Sequence, residues 1–461
     1  MKPFPIILLC GVLVTISCTS KQNKTMKFNA APEPMKLITV DPGHFHAALV
    51  QKAMYPQLSP DVYVYAPEGP DVLEHLNRID AYNARSDSPT FWKEIVYLGQ
   101  DFLQKMIAEK RGDVMMVSGN NRRKIGYIQA AVSAGIHVLA DKPMCIDQAG
   151  FEALQQAFTS AQQNGVLVYD IMTERYEITT ILQKKLAASP KVFGRLLSGT
   201  MDDPAVTKES VHHLFKYVSG KPLKRPAWFF DTTQQGEGIV DVSTHLVDLI
   251  QWECFPEQII DYQQDIQLFS AKRWPTQMTL EQFNKVTQLV EFPDFLQPNV
   301  SDHLLSVYCN GEFNYTIKGI HAKVSVVWNF EAPEGTGDTH YSIMRGSNSS
   351  LIIKQGREQN YRPELYIMPS KEDRTFERSL NAAVQLISKE FPGLALIKCA
   401  EGWQIGIPDQ YRVNHEAHFA QVTEKYLGFL KAGELPAWEV PNMIAKYYTT
   451  TAALTMAKGD R

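Results

Sequence analysis

The sequence predicts a doubly wound α/β domain with a parallel sheet, followed by an α+β domain with a large, open and mostly antiparallel sheet. From Lys36 to about residue 170, short apolar runs such as KLITV, DVYVYA and HVLAD alternate with helical patterns. From Ile259 onward, long apolar–polar alternations with Gly-centred turns replace them. A chain of 461 residues with 44% hydrophobic residues is long enough to bury the cores of both domains. We therefore predict a first domain over 36–170 and a second over 171–461.

The charge balance excludes one class of partner. Lys and Arg number 46 against 50 Asp and Glu, which gives a net charge of −4, and no basic block occurs. The long-range positive field that attracts a phosphate backbone is therefore missing. We expect no nucleic-acid partner.

The first 24 residues have the pattern of an export signal. The apolar run over 6–16 is much shorter than the roughly 20 residues that span a bilayer as a helix. Thr15-Ile16-Ser17-Cys18 resembles a bacterial lipobox, which predicts a signal peptide over 1–17, lipidation of Cys18 and a polar tether over 18–35. The alternative is an ordinary signal peptide in which Cys18 is discarded. Both predict an exported protein, which is periplasmic or, if Cys18 is lipidated, held at the outer membrane with membrane contact only through the lipid anchor.

Four cysteines remain beyond the signal, at positions 145, 254, 309 and 399, and none has CxxC spacing. So few cysteines in so long a chain do not form a disulfide scaffold, even in an oxidising compartment. We expect buried free thiols.

The loop after the first predicted strand reads Asp41-Pro42-Gly43-His44-Phe45-His46, where a dinucleotide-binding protein carries GxGxxG. Only the middle glycine, which lets the backbone approach a pyrophosphate, is present. A helix near His46 to Tyr55 is expected to follow. On its own, a tight strand-to-helix turn explains this glycine equally well.

Two further segments, Asp113–Asn121 and Ala134–Pro143, resemble the glucose–fructose oxidoreductase/inositol dehydrogenase/MocA family. That family ends its fifth strand in Glu-Lys-Pro, which is Asp141-Lys142-Pro143 here. The resemblance implies a Rossmann domain that binds NAD(P). The residues it places at the cofactor are Gly43, His44, Phe45, His46, Ser118, Gly119, Asn120, Asn121, Asp141, Lys142 and Pro143.

The type of nucleotide is predicted from the residues that follow the second strand. Glu68 lies about 20 residues past the turn, where an acidic residue accepts the adenosine ribose hydroxyls. No Arg or Lys follows until Arg78, so a 2′-phosphate has no obvious partner. This favours NAD, without excluding NADP.

A second signature runs from Gly236 to Asp248 and corresponds to the family's GGG followed by a D-x-x-x-H-x-x-D helix. Residues four apart on a helix share a face, so we expect Asp241, His245 and Asp248 to form one stripe. The resemblance implies that Lys142 orients substrate and cofactor, that His245 is the acid/base, and that Asp241 aligns His245 or the substrate hydroxyl. It also places Arg175 at the substrate.

These residues suit hydride transfer, which needs a proton acceptor and a positive neighbour for the developing alkoxide. We expect an exported oxidoreductase with tightly bound NAD(P) that oxidises a secondary hydroxyl of a sugar, glycoside or polyol to a ketone. One alternative is an NAD-dependent glycosidase that oxidises the sugar transiently and eliminates the aglycone. The other is a non-catalytic sugar-binding lipoprotein on the same scaffold.

Two questions concern other ligands and assembly. His44 with His46, and His415 with His418, are pairs that lack a third ligand at a recognised spacing, so no metal is predicted.

Members of the family often dimerise through the outer face of the second sheet. The resemblance therefore implies a homo-oligomer through the C-terminal sheet.

Overall fold

The computed structural model describes residues 26–27, 32, 34–218, 221–334 and 336–459. The predicted signal peptide and lipidated Cys18 lie outside these residues, as does most of the predicted tether, so all three stay predictions. Among the described residues, no helix is both long enough and apolar enough to cross a membrane. The four cysteines beyond residue 18 are free thiols, with Cys145 and Cys309 buried and Cys254 and Cys399 partly exposed.

The first domain is a six-stranded parallel sheet, which confirms the predicted fold class. Its strands are Met35–Val40 (β1), Leu58–Ala66 (β2), Lys93–Leu98 (β3), Val114–Val117 (β4), His137–Asp141 (β5) and Val168–Ile171 (β6). Its helices are His46–Leu49 (α1), Pro70–Ala84 (α2), Phe102–Glu109 (α3), Asn121–Ser133 (α4) and Gln148–Asn164 (α5). The strand order β3-β2-β1-β4-β5-β6 is doubly wound and reverses between β1 and β4.

The second domain is a ten-stranded sheet, also as predicted. Its main strands are Val206–Phe215 (β7), Ile266–Thr279 (β8), Leu304–Ile317 (β9), Ile320–Glu331 (β10), Thr339–Arg345 (β11), Ser349–Gln355 (β12), Glu364–Pro369 (β13), Ala395–Cys399 (β14) and Gly402–Gly406 (β15). They lie in the order β8-β9-β10-β7-β11-β12-β13-β15-β14, with Val300–Ser301 beside β9. The pairs along this path are antiparallel except β7 with β10, which is parallel.

The helices after residue 171 are Ile178–Ala187 (α6), Thr232–Gln235 (α7), Ser243–Cys254 (α8), Tyr262–Asp265 (α9), Leu280–Thr287 (α10), Arg374–Ile387 (α11), His415–Ala432 (α12) and Glu439–Lys458 (α13). Short 3₁₀ turns lie at Val50–Lys52, Thr173–Tyr176, Ala227–Phe230, Asp294–Asn299, Arg357–Gln359 and Asp409–Tyr411. Two-residue strands pair Met26–Lys27 with Glu434–Leu435, and Tyr217–Val218 with Lys221–Pro222.

The predicted helix near His46 to Tyr55 is shorter in the structure. The α-helix ends at Leu49, and one 3₁₀ turn over Val50–Lys52 follows it. Tyr55 precedes Pro56, and a residue before proline disfavours the helical conformation. The helix that follows the turn after β1 therefore has only one α-helical turn.

The end of the chain does not stay with the second domain. Phe419 and Tyr426 of α12 and Tyr447 of α13 are buried in the hydrophobic core of the parallel sheet. Leu454, near the end of α13, belongs to the core of the second sheet. The predicted second domain over 171–461 therefore contributes one helix to the first core and a second helix to both cores.

Candidate active site

A cavity of about 490 Å³, here called the inner cavity, lies where the carboxyl ends of β1, β4 and β5 face the second domain. The first domain contributes His44, Asp141 and Lys142 to its lining, and the second domain contributes Asp241 and His245. Parallel sheets bind ligands at this edge, at the point where the strand order reverses. The cavity therefore has the position expected of an active site.

Lys142 and Asp241 form an ion pair across the inner cavity. Lys142 Nζ donates to Asp241 Oδ1 at 2.6 Å, and Gln235 Nε2 donates to Asp241 Oδ2 at 3.2 Å. Both charged side chains are about nine-tenths buried, so the pair is only weakly screened by water. The pair joins the end of β5 to the turn before α8.

His245 lies on the first turn of α8, and its imidazole lines the same cavity. Its Nδ1 atom is buried and has no hydrogen-bond partner among the described residues. Burial, followed by the charges of Lys142 and His415, holds the pKa of this imidazole well below its usual value. The ring is therefore neutral at pH 7 and able to accept a proton.

The predicted stripe of three residues is only partly realised. Asp241 precedes the first residue of α8, Ser243, but its side chain still lines the cavity with His245. Asp248 does not line the cavity, because its carboxylate is paired with Arg175 at 2.7 Å and with Lys446 at 2.8 Å.

Arg175 does not reach the inner cavity either, contrary to its predicted place at the substrate. Its guanidinium is buried and bonded to Asp248 on one side and to Glu439 on the other, at 3.2 Å. A buried arginine needs such partners, and these two occupy most of its donors. Arg175 therefore forms structural ion pairs with Asp248 and Glu439.

The turn after β1 requires close backbone packing. A Cβ atom on Gly119 would lie 2.4 Å from the carbonyl oxygen of Asp41 and 2.8 Å from the amide nitrogen of Gly43. Asp41 itself has a φ of 40°, a left-handed conformation that few residues besides glycine adopt readily. Asp41 thus adopts a backbone conformation at the position where the GxGxxG pattern has its first glycine.

A second cavity of about 760 Å³, the outer cavity, continues from the turn toward α2. It is lined by Gly43, Glu68 and Asn120, three of the predicted cofactor residues, and by Arg78. Buried Asn120 Oδ1 has no partner among the described residues. Five residues line both cavities: His44, Phe45, Leu223, Arg225 and Phe229.

Arg225, at this junction, was missed by the sequence analysis. It is buried, and its Nε donates to the carbonyl oxygen of Leu214 at 2.8 Å. Its guanidinium lies 4.3 Å from the centre of the Phe229 ring, and no described carboxylate forms an ion pair with it. Burial lowers its pKa to about 10, so it remains a cation at pH 7. A buried cation without a carboxylate partner is suited to binding an anion.

The other predicted cofactor residues surround Asp141. Ser118 Oγ donates to Asp141 Oδ2 at 2.8 Å, and His46 Nδ1 lies 3.0 Å from the same oxygen. Although burial alone would raise the pKa of this carboxyl, His46 and Lys124 hold it well below its usual value. Asp141 is therefore a carboxylate at neutral pH.

Lys124 is a second residue without a predicted role. It is fully buried, and its Nζ donates to Asn121 Oδ1 at 2.7 Å and to the carbonyl oxygens of Asp141 at 2.8 Å and Pro143 at 3.0 Å. Burial lowers its pKa to about 8. The side chain ties α4 to the end of β5, and so it positions Asp141 and Lys142. No local pattern in the sequence indicates a contact of this kind.

The far end of the inner cavity is polar and belongs to the second sheet. His213 Nδ1 lies 2.8 Å from Asp338 Oδ1, His212 Nδ1 lies 3.4 Å from Asp338 Oδ2, and Lys216 Nζ donates to that oxygen at 3.0 Å. Trp328, in ring contact with His212, lines the cavity beside them. An apolar ring surrounded by donors and acceptors is typical of a site for a polyhydroxylated molecule.

Two comparisons identify this two-domain protein as an oxidoreductase. A family model described as "Putative oxidoreductase C terminal domain" matches residues 182–458. The chain is also 57% identical to a putative oxidoreductase from Parabacteroides merdae, whose structure covers 94% of this chain and 100% of its own, with a TM-score of 0.92. The chain belongs to this oxidoreductase family, and its architecture is of the glucose–fructose oxidoreductase/inositol dehydrogenase/MocA type.

More distant structures share the fold. A levoglucosan dehydrogenase in complex with NADH and levoglucosan is 12% identical, covers 93% of this chain and 98% of its own, and has a TM-score of 0.57. The WlbA dehydrogenase from Bordetella pertussis, in complex with NADH and UDP-GlcNAcA, is 12% identical, with coverages of 94% and 98% and a TM-score of 0.53. A search of curated proteins found no match.

Proposed function

We propose that this protein uses NAD(P) to oxidise a secondary hydroxyl of a sugar, glycoside or polyol to a ketone. The observation that carries the proposal is the convergence of Lys142, Asp241 and His245 on one cavity at the carboxyl edge of the parallel sheet. Binding alone does not require a proton acceptor with an unpaired nitrogen beside a buried ion pair. The alternative of a non-catalytic binding protein is therefore less favoured.

The two adjoining cavities suit an elongated cofactor with a negative centre. The turn leaves little room for a side chain at Gly43, since an added Cβ would lie 3.2 Å from the Trp228 ring and 3.1 Å from Asp71 Oδ2. Arg225 supplies a positive charge at the junction, and Asn120 Oδ1 offers an unpaired acceptor in the outer cavity. With Glu68 at one end and Lys142 at the other, these residues would hold the dinucleotide. When bound, NAD(P) accepts the hydride.

The chain's own residues would handle the proton and the position of the substrate. Neutral His245 accepts the hydroxyl proton as the carbon–hydrogen bond breaks. The Lys142 ammonium stabilises the negative charge that develops on the oxygen, and Asp241 keeps that ammonium in place. The polar far end, with His212 and Asp338, would bind the remaining hydroxyls.

The complexes of distant structures with levoglucosan and with UDP-GlcNAcA support a carbohydrate as the substrate. The choice between NAD and NADP stays open, because Arg78 and Lys224 also line the outer cavity and offer positive charge to a 2′-phosphate. Both nucleotides therefore belong in any test.

The test is a single-turnover reduction of protein-bound nucleotide by a panel of glycosides, hexoses and inositols, followed by nicotinamide absorbance. His245→Ala should slow the turnover by about 10²- to 10⁴-fold and leave nucleotide affinity nearly unchanged, since only the proton acceptor is lost. Lys142→Ala should impair both turnover and nucleotide affinity. His321→Ala is the matched control, because His321 lies on β10 outside both cavities.

Three results would contradict the proposal in distinct ways. Wild-type turnover in His245→Ala would remove this residue from the mechanism. Calorimetry that detects no binding of NAD⁺, NADH, NADP⁺ or NADPH to cofactor-free protein would exclude the cofactor. Release of an aglycone without net nucleotide reduction would replace net oxidation with the glycosidase reaction.

A further inference from the structure

Two histidines of the turn after β1 and the aspartate that ends β5 meet at one point in the inner cavity. His46 Nδ1 lies 3.0 Å from Asp141 Oδ2, and His44 Nδ1 lies 3.8 Å from the same oxygen. The three ligand atoms all lie within 4.8 Å of one another. Asp141 is 95 residues from His46 in the sequence, so spacing alone does not reveal this third member of the group.

We propose that His44, His46 and Asp141 bind a divalent transition-metal ion such as zinc. In a tetrahedral site with bonds of about 2.0–2.1 Å, neighbouring ligand atoms lie about 3.3–3.4 Å apart. The two measured separations, 3.0 and 3.8 Å, fall on either side of that value. The only other described partner of His44 Nδ1 is the His46 amide, at a long 3.4 Å. Small side-chain movements therefore suffice to enclose an ion.

The donor set selects the kind of metal. Two imidazoles and one carboxylate suit zinc, iron(II) and similar ions, whereas magnesium and calcium prefer oxygen ligands throughout. Three protein ligands leave one position open, as in catalytic rather than structural zinc sites. That position faces the cavity that Lys142 and His245 also line. An ion there would polarise a carbonyl or hydroxyl oxygen of the bound molecule, a role beyond the proposed hydride transfer.

The surroundings of the ligands resemble the outer shell of a metal site. Ligating histidines usually donate their second ring N–H to an acceptor, and His46 Nε2 lies 3.4 Å from His415 Nε2. The ligating oxygen of Asp141 accepts a hydrogen bond from Ser118 Oγ at 2.8 Å. Both contacts fix ligand orientation without filling the open position.

A group of the same composition at the other end of the cavity is a natural comparison. His212, His213 and Asp338 also comprise two imidazoles and a carboxylate, but the ammonium of Lys216 lies 3.0 Å from Asp338 Oδ2. A cation in direct contact with the carboxylate opposes a second cation there, whereas Lys124 donates to the main-chain oxygen of Asp141 and not to its carboxylate. Among the described residues, only the group at His44, His46 and Asp141 brings three such ligand atoms together.

The experiment is a calorimetric titration of the full chain, stripped with EDTA, with zinc chloride in the absence of any nucleotide. We expect one zinc ion per chain for the wild type and for Asp338→Asn, the composition-matched control. His44→Ala and Asp141→Asn should lose this binding. His415→Gln should bind about 10- to 100-fold more weakly, as is usual when an outer-shell partner is removed. Cobalt(II) added in place of zinc should give the visible absorption bands of a tetrahedral site in the wild type.

The outcomes decide the proposal without reference to oxidoreductase activity. Absence of zinc binding by the wild type, or wild-type binding by His44→Ala, would overturn it. If Asp141→Asn is misfolded by circular dichroism, His44→Ala decides alone, because the His44 side chain is one-fifth exposed and its contact with Asp141 is a long one, at 3.8 Å. Because no nucleotide is present, failure of the proposed NAD(P) reaction and failure of the metal site are separate results.

Discussion

At the scale of a single residue, His75 is a polar side chain that is buried without a hydrogen-bond partner among the described residues. It lies on α2 and is 3% exposed, and neither ring nitrogen has a hydrogen-bond partner among the described residues. Burial, followed by the charge of Arg78, lowers the pKa of the ring to about 4. The same ring has a pKa near 6.5 in the unfolded chain. Folding below pH 6.5 therefore releases a proton, and stability falls as the pH drops from about 6.5 toward 4.

We predict that His75→Leu raises the free energy of unfolding, because it removes two unpaired buried nitrogens. The gain should be about 1–3 kcal/mol at pH 8. At pH 5 it should be larger by about 2 kcal/mol, since the variant no longer loses a proton on folding. Urea unfolding at the two pH values measures the difference. An equal gain at both, or a loss at both, would contradict the assigned burial and pKa.

The predicted catalytic residues all line the inner cavity, and the position of each follows from a strand end or a helix start. Lys142 follows β5, and Asp241 and His245 flank the start of α8, so local patterns place all three at the cavity. Arg225 and Arg175 depend on which partners the fold brings near them. Arg225 has no described carboxylate partner, whereas Arg175 has two, Asp248 and Glu439. The linear sequence does not show this difference.

At the scale of the element, α13 is held by a buried charge network. Lys446 Nζ lies 2.8 Å from both Asp170 Oδ2 at the end of β6 and Asp248 Oδ1 on α8. The ammonium is fully buried, so bulk water does not reach it to replace these partners. The helix therefore depends on complete pairing across three elements, each from a distant part of the sequence.

Lys446→Met should destabilise the protein by about 3–5 kcal/mol, because it leaves the buried Asp170 carboxylate without its cation and leaves Asp248 with Arg175 alone. Thermal unfolding of the variant at pH 7 measures the loss. The control is Lys285→Met, which removes an exposed ion pair with Glu331 and should change stability by less than about 1 kcal/mol. Similar small effects for both variants would show that the buried network contributes little.

Elements are predictable from sequence to the extent that their signals are local. Strands β1, β4, β5 and β6 of the first domain are mainly apolar and almost fully buried, and buried parallel strands require such runs. The length of α1 and the start of α8 depend on the chain geometry around Pro56 and Gly238, so their boundaries shift. A Cβ on Gly238 would clash with the carbonyl oxygen of Cys309, so the segment before α8 packs closely against β9, which is remote in the sequence.

At the scale of the whole molecule, the last two helices join the two domains. α12 buries Phe419 and Tyr426 in the first core, and α13 contributes Tyr447 to that core and Leu454 to the second. Sequence periodicity predicts helices in this tail but does not indicate which sheet they cover. Which sheet they cover depends on the apolar surface that segments several hundred residues earlier leave exposed.

We predict that the two domains unfold in one cooperative transition, because neither core is complete without the C-terminal helices. Scanning calorimetry should give a single peak with a calorimetric enthalpy close to the van't Hoff value. Hydrogen exchange in urea should give the same opening free energy for peptides from β1 and from β9, one in each sheet. Truncation after Gly433, which removes α13, should lower the stability of both sets of peptides together. Two resolved calorimetric peaks, or exchange in β1 at a urea concentration that leaves β9 protected, would show instead that the first domain is an independent folding unit.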